Sequence, residues 1–504
     1  MFTRIWHGLE RRRWWIAGIA LFCLGAALRI YDITDAPFEF HPVRQLRSAI
    51  IARAQYYRLL PNVDLTLRQT AIDAHHTLET FEPPIQETLT ALGYLLTGGE
   101  NLWIGRLLSI VFWLIGGLAL FDLARRMVSL PGALVSLAYY LVLPFAIAVS
   151  RSFQPDALMV MGVILSVWAF SHWIERLSWR WAVCVGLLVG ATVFIKGTAL
   201  YPLAPALAFA TLAVLGRRAF RNPQVWVIAA MALAGPLVYY GILTGSSAST
   251  HVGYWLGAFT EFWISPRFYV LWLKMLGNLV GLALLCLGLV GIASFSKPSQ
   301  RWLLLGWWLG YFCFGLTFPY QIYTHEYYSL MLVPALALCL APLANQVAKQ
   351  TGLQPKGWRL LVAAAIFVIL AYPSWITFTG LKGRDYRPEV LGWQKMGREM
   401  PRQGAIVGLT HDYGFRLLYY GRTITTYWPA SIDLQVYTER GANSAAVEDF
   451  ERFFAEKTTG AAYFLVTLPA DLDAQPALHD RLYKHYPYVE GEGYVLFDLR
   501  NPLP

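Results

Sequence analysis

The chain is built from apolar runs about as long as a lipid bilayer is thick, separated by short charged loops. A helix needs about 20 mainly apolar residues to cross the hydrocarbon layer. Within lipid every backbone polar group must be satisfied internally, which helices achieve. Candidate runs cover residues 14–31, 104–124, 131–149, 157–174, 181–195, 198–215, 224–243, 268–293, 302–318, 327–346 and 358–379. Only 14% of the 504 residues are charged and 56% are hydrophobic, where a soluble chain carries roughly a quarter charged residues. The expected fold class is a polytopic α-helical membrane protein with about eleven transmembrane helices. Lys196-Gly197 interrupt the apolar run over 181–215. One helix of that length would overshoot the membrane, so a tight turn is expected there.

Charge sets the expected orientation. Arg11–Arg13 precede the first run, and Arg125, Arg126, Arg217, Arg218, Arg221, Lys297, Arg301, Lys349, Lys356 and Arg359 fall on the same side of the membrane. The positive-inside rule assigns that side to the cytoplasm. An odd number of spans then leaves everything after residue 380 outside, although Lys382, Arg384 and Arg387 run against the rule. The net charge of +10 reads as cytoplasmic anchoring and not as a nucleic-acid surface. All five cysteines lie inside apolar runs without a CxxC spacing, which argues against a disulfide framework or a zinc site. The first run lacks a clear small-residue cleavage site and is expected to be retained.

Two regions depart from this pattern. The segment 381–504 has the composition of a soluble domain, while residues 1–380, including a long outer loop over 32–103, form the membrane core. In the tail, GAIVGLT, RTITTYW, AAYFLVT and GYVLFDL read as strands. DYGFRLLYY, AAVEDFERFFAEK and ALHDRLYKHY read as helices. An extracytoplasmic α/β domain is expected, with Asp412 as a helix N-cap after the first strand.

The outer loop carries the chemistry. Leu46, Ala49, Ile50, Tyr57 and Leu60 form one stripe, with Arg44, Arg47, Gln55 and Arg58 opposite, the pattern of a helix lying in the membrane interface. Arg53 falls inside the apolar stripe, where a guanidinium is costly unless it meets a carboxylate or a phosphate. It is either a ligand for a lipid-linked phosphate, or a side chain that snorkels to water or forms a structural ion pair, with Glu39 as the candidate partner. A second interfacial helix starts at Pro83-Pro84, with Ile85, Leu89, Leu92 and Leu96 as its apolar stripe. Further outer-side polar groups are SRSFQPD (150–156), Lys196 and the stretch 319–328 with His325. The runs 131–149, 198–215, 224–243 and 302–318 contain no charged residue. Ion-coupled transporters place charges near the midplane, so the chemistry is expected at the outer membrane surface. His41, His75, His76 and His325 all lie outside, but the adjacent pair lacks i, i+4 metal-ligand spacing. Surface roles fit these histidines better than a divalent metal, and no cofactor is expected.

The order of these motifs resembles a known family: IAR in the first loop, a Pro-Pro-Ile helix, RLLSIVFWLIGGLALFDLARRM, SRSFQPDALM and HEYYSLMLVPALAL. Over residues 14–345 the chain resembles the GT-C glycosyltransferases, notably the protein O-mannosyltransferase-like group and the aminoarabinose transferases of lipid A. The resemblance implies inverting transfer from a polyprenyl-phosphate sugar to a lipid, glycan or protein acceptor. Such chemistry needs a base for the acceptor hydroxyl and cations for the phosphate leaving group. The family's Asp-Glu pair, nine and eight residues before the Arg of IAR, is replaced here by Arg44-Gln45. Glu39 is then the first candidate base, with His41, Asp156 and Glu82 behind it. Arg53, Arg44, Arg151, Lys196 and His325 are the candidate phosphate contacts. Competing readings are a lipid-diphosphate-dependent polymerase or ligase, a transporter or flippase, and a non-catalytic assembly subunit. A transporter would show an internal repeat and broken, charged midplane helices.

Overall fold

The computed structural model describes residues 2–79, 82–243, 260–439 and 449–504. Every apolar run lies on helix. By length and composition, seven helices among the described residues can cross a membrane, or nine if each of two bent pairs is one span. Leu130–Val142 and Pro144–Ser150 meet at 61°, and Pro266–Val280 and Leu282–Ala293 at 91°. Proline lacks the donor a continuing helix needs, which breaks the first pair at Pro144. Gly281 breaks the second by adopting φ 84°. The runs 181–195 and 302–318 form the helices Trp179–Ile195 and Pro298–Thr317, outside that count. The expected break falls at Lys196, which is extended (φ −153°, ψ 113°) and followed by a 3-10 turn, Gly197–Ala199.

The chain forms two compact units: Met1–Ile33, Thr80–Gln86 and Trp103–Gly383 in the first, Thr34–Glu79, Glu87–Leu102 and Arg384–Pro504 in the second. In the first, helices approach through small residues. A Cβ on Gly306 would stand 2.6 Å from the carbonyl carbon of Pro205, and one on Gly310 2.7 Å from that of Tyr201. Lipid offers no hydrophobic drive between helices, so close backbone contact carries their association. Arg29, fully buried, bonds Ser150 Oγ (2.6 Å) and the carbonyls of Gly25 and Leu141.

In the second unit, helix Pro42–Leu59 buries Leu46, Ala49, Ile50 and Tyr57 of the expected stripe and leaves Arg44, Arg47, Gln55 and Arg58 partly or fully exposed. Gln45, Ser48, Ile51 to Ala54 and Tyr56 are buried as well, so the buried face is wider than that stripe. Helix Ile85–Thr97 shows the reverse polarity of a soluble helix. Leu89, Leu92 and Leu96 are exposed while Gln86, Glu87, Thr90 and Tyr94 are buried; Ser48 Oγ donates to Glu87 at 2.7 Å. The helix ends at Gly98, which takes φ 69°, and the Gly99 amide bonds the Tyr94 carbonyl, a glycine stop of the usual left-handed kind.

The tail folds around a five-stranded sheet of β1 (Ala405–Leu409), β2 (Thr426–Tyr427), β3 (Ala461–Val466), β4 (Tyr488–Gly491) and β5 (Tyr494–Asp498) in the order β2-β1-β3-β5-β4. β1 runs parallel to β2 and β3, while β5 is antiparallel to β3 and β4. The four expected strands are present. β4 was not anticipated, because its side chains are largely exposed and carry no apolar alternation. Val407, Leu409, Trp428, Phe454, Phe464 and Phe497 fill the core. Helices Phe450–Thr458 and Pro476–His485 match two expectations; residues 445–448 of the first lie outside the described residues. The third, 412–420, is irregular: a 3-10 turn with Asp412 and Tyr413 left-handed, then a π turn. Asp412 is not an N-cap. Its carboxylate pairs with Arg416 four residues on, a stronger partner than a helix amide.

Candidate active site

Three residues that are far apart in sequence meet in the first unit. Asp156 opens helix Asp156–Arg176 directly after Pro155, and Lys196 sits where the chain breaks after Ile195. Glu82 precedes Pro83-Pro84. Lys196 Nζ lies 2.9 Å from Asp156 Oδ1 and 3.6 Å from Glu82 Oε1. The side chains are 9%, 2% and 20% exposed in that order, so Glu82 is the carboxylate with most access to an incoming group. Lys196 also stands 5.6 Å from the centre of the Tyr327 ring, itself 5.8 Å from the His325 ring. His325 Nδ1 is 2.8 Å from Thr324 Oγ1. A buried cation held between two carboxylates is a group whose charge is fixed before substrate arrives, which is what electrostatic stabilisation of a leaving phosphate needs.

Two neighbours in sequence behave differently. Arg151 is buried and donates to the carbonyls of Tyr31 (2.7 Å), Arg29 (3.3 Å) and Asp32 (3.4 Å). It thereby caps the end of helix Phe2–Ile30, whose last carbonyls have no helical partner. Gln154 is fully buried, and neither atom of its amide has a hydrogen-bond partner. A bare buried amide costs about 1–3 kcal/mol, so its place two residues before Asp156 marks a polar position in the same loop.

Glu39, His41, Arg44 and Arg53 lie in the second unit. Glu39 is half-buried and its carbonyl accepts from Arg384 at 3.5 Å. His41 stands at the N-cap of helix Pro42–Leu59 with φ 42°, its ring edge-on to Phe40. Arg44, in the first turn of that helix, is partly exposed. Arg53 forms the ion pair that sequence allowed, but its partner is Glu100 and not Glu39. Its Nε and Nη2 reach Glu100 Oε1 at 2.7 and 2.5 Å. Nη1 donates to the Tyr419 carbonyl at 2.7 Å, and the guanidinium lies 3.8 Å from the Tyr419 ring centre. Burial works against this charge, and Glu100, Tyr419 and Tyr57 together outweigh it, holding the guanidinium above its ordinary range. Burial, then Glu100, pushes the Tyr57 hydroxyl up as well. Glu100 is the partner that sequence reasoning missed. The signal was there, an acidic residue directly after the Gly98-Gly99 helix stop. Among the described residues no three His, Cys, Asp or Glu side chains are grouped to hold a metal.

This architecture has relatives among solved structures. The chain is similar to ArnT from Cupriavidus metallidurans in the apo state, at 17% identity and TM-score 0.60, over 97% of this chain and 98% of that one. The fold is that of the GT-C glycosyltransferases. ArnT bound to undecaprenyl phosphate matches at 15% identity and TM-score 0.57, with 97% of both chains covered. The archaeal oligosaccharyltransferase AglB from Archaeoglobus fulgidus, in complex with an inhibitory peptide and a dolichol-phosphate, matches at 13% identity and TM-score 0.58, over 97% of this chain and 74% of that one. Residues 82–240 match the family described as Dolichyl-phosphate-mannose-protein mannosyltransferase. No curated protein matches the chain by sequence. The GT-C fold and its apolar helices make this a multi-pass membrane protein. The family match runs from Glu82 through Asp156 and Lys196, the three residues joined in the first unit.

Proposed function

We propose that this protein is a membrane glycosyltransferase that moves a sugar from a polyprenyl-phosphate donor to a lipid, glycan or protein acceptor at the outer face of the bacterial inner membrane. The observation that carries the reading is the convergence of Glu82, Asp156 and Lys196 within the stretch that matches the mannosyltransferase family. The undecaprenyl phosphate and the dolichol-phosphate bound in the similar structures support the donor class.

In this mechanism the acceptor oxygen attacks the anomeric carbon while a carboxylate takes its proton. The bond from that carbon to the phosphate oxygen breaks, and polyprenyl phosphate leaves with the electron pair. A single displacement inverts the anomeric centre. Lys196 meets the charge growing on the phosphate, with His325 as a second contact. Asp156, nearly inaccessible, holds the ammonium in place. Glu39 and Glu82 are the candidates for the base, with His41 behind them, and Arg44 is the basic group assigned to the donor from the first loop; Arg53 is committed to Glu100 and the Tyr419 carbonyl. No cofactor enters any step. The positive-inside rule applied to the basic loops supports a cytoplasmic N-terminus and an external C-terminal sheet, which would position the acceptor.

The test is transfer by the purified protein in lipid vesicles, offered radiolabelled polyprenyl-phosphate sugars and membrane extract as acceptor. Lys196→Met and Asp156→Asn should abolish transfer, and one of Glu39→Gln and Glu82→Gln should abolish it while donor binding persists. Transfer that survives Lys196→Met would overturn the assignment. Transfer from diphosphate-linked donors alone would favour the polymerase or ligase reading.

A further inference from the structure

A second polar site lies at the other end of the first unit. Helix Asp156–Arg176 begins with the acidic member of the candidate active site and ends beside a half-open cavity of about 70 Å³. At 1.5 Å per residue, Ser171 and Glu175 lie roughly 22–28 Å along that helix from Asp156, about the thickness of the hydrocarbon layer. The cavity is therefore on the opposite membrane face. Its walls include Arg126, Ser171, Glu175, Lys297 and Gln300, with Val214 as an apolar wall that is 47% exposed.

The charges form an alternating chain. Arg126 Nη2 bonds Glu175 Oε2 at 2.8 Å, and Lys297 Nζ lies 3.2 Å from Glu175 Oε1. Arg126 Nη1 also reaches His172 Nε2 at 2.5 Å and Ser171 Oγ at 3.3 Å. The Lys297–Glu175 link is loose, with both side chains near half exposed (58% and 45%); pairs of that kind contribute little and are easily opened. At the floor, Gln300 is 8% exposed and donates its amide to the Met127 carbonyl at 3.4 Å, while its Oε1 has no hydrogen-bond partner. That acceptor belongs to a residue lining the cavity.

We propose that this cavity binds the headgroup of a phosphoethanolamine lipid. The phosphate takes Lys297, with Arg126, held by Glu175, Ser171 and His172, as the second cation beside it. The ammonium takes the Glu175 oxygen that Lys297 releases, and reaches Gln300 Oε1 as an N–H donor. A zwitterion inserted into a plus–minus–plus chain leaves its net charge unchanged and opens only the weak link. The exposed Val214 wall continues toward the acyl chains. A choline headgroup offers no N–H to either acceptor, so the site discriminates against it.

The test is native mass spectrometry of the full-length protein in detergent, titrated with short-chain phosphatidylethanolamine, phosphatidylglycerol and phosphatidylcholine and with inorganic phosphate. Phosphatidylethanolamine should be retained at least about tenfold better than phosphatidylcholine, the size of one charge-assisted hydrogen bond. Lys297→Gln and Glu175→Gln should each reduce that retention about as much, with thermal unfolding within a degree or two of wild type for Lys297→Gln. Equal retention of ethanolamine and choline lipids would overturn the proposal. So would retention unaffected by Lys297→Gln, preference for phosphatidylglycerol, or displacement by millimolar inorganic phosphate, which would assign the cavity to a free anion.

Discussion

Replacing Lys196 by methionine removes the cation that stands between two carboxylates. Its Nζ is 2.9 Å from Asp156 and 3.6 Å from Glu82. At an effective dielectric constant of about 20, those separations correspond to about 6 and about 5 kcal/mol of gross attraction. Desolvation cancels much of this, at several kcal/mol for each buried ion. The intact cluster is therefore worth far less than the sum, whereas breaking it leaves an uncompensated charge. Asp156, whose side chain is 2% exposed, then loses the Lys196 cation and keeps a neighbouring carboxylate. Lys196→Met should cost about 3–5 kcal/mol of stability. Adding Asp156→Asn should return most of that loss, because the remaining acid, Glu82, is 20% exposed and can reach water. Tryptophan-fluorescence unfolding of the single and double variants in matched detergent gives the coupling, expected at about 2 kcal/mol or more. Effects that add to within about 0.5 kcal/mol would refute the electrostatic account of the cluster, whatever happens to transfer.

Arg53→Met should destabilise the second unit by about 3–5 kcal/mol, since Glu100 is left without its buried cation; earlier proteolysis within residues 384–504 would report it. Gly310→Leu should cost at least about 1–3 kcal/mol through overpacking against the Tyr201 carbonyl, read as a lowered melting temperature with no change in the C-terminal sheet. Burial, then Arg416, holds His411 below its ordinary range. The unfolded chain therefore takes up a proton near pH 6.5 that the folded one refuses, and stability falls as pH drops through about 6.5. His411→Asn should flatten that part of the pH–melting curve, and an unchanged slope would dismiss the effect.

The apolar runs were readable because membrane insertion is decided locally, by length and hydropathy, before any packing. For the same reason the tail's strands around Phe464 and Phe497 were legible, each apolar enough to declare a buried position. Lys196 could be singled out as a polar interruption of a long run. What sequence could not supply was partnership. Arg53 announced a need for an acid, and the nearest acid in sequence, Glu39, is not the one it meets. Glu82, Asp156 and Lys196 were each visible as polar residues at the mouths of helices, yet nothing in their spacing of 74 and 40 residues says that they touch. The bends at Pro144 and Gly281 and the width of the buried face of helix Pro42–Leu59 were likewise settled by packing. The sequence by itself determined which segments leave water, because that free energy is a property of each segment alone. Only the tertiary structure decided which charges share a site, because a salt bridge is fixed by the separation of two side chains, and chain distance does not set it.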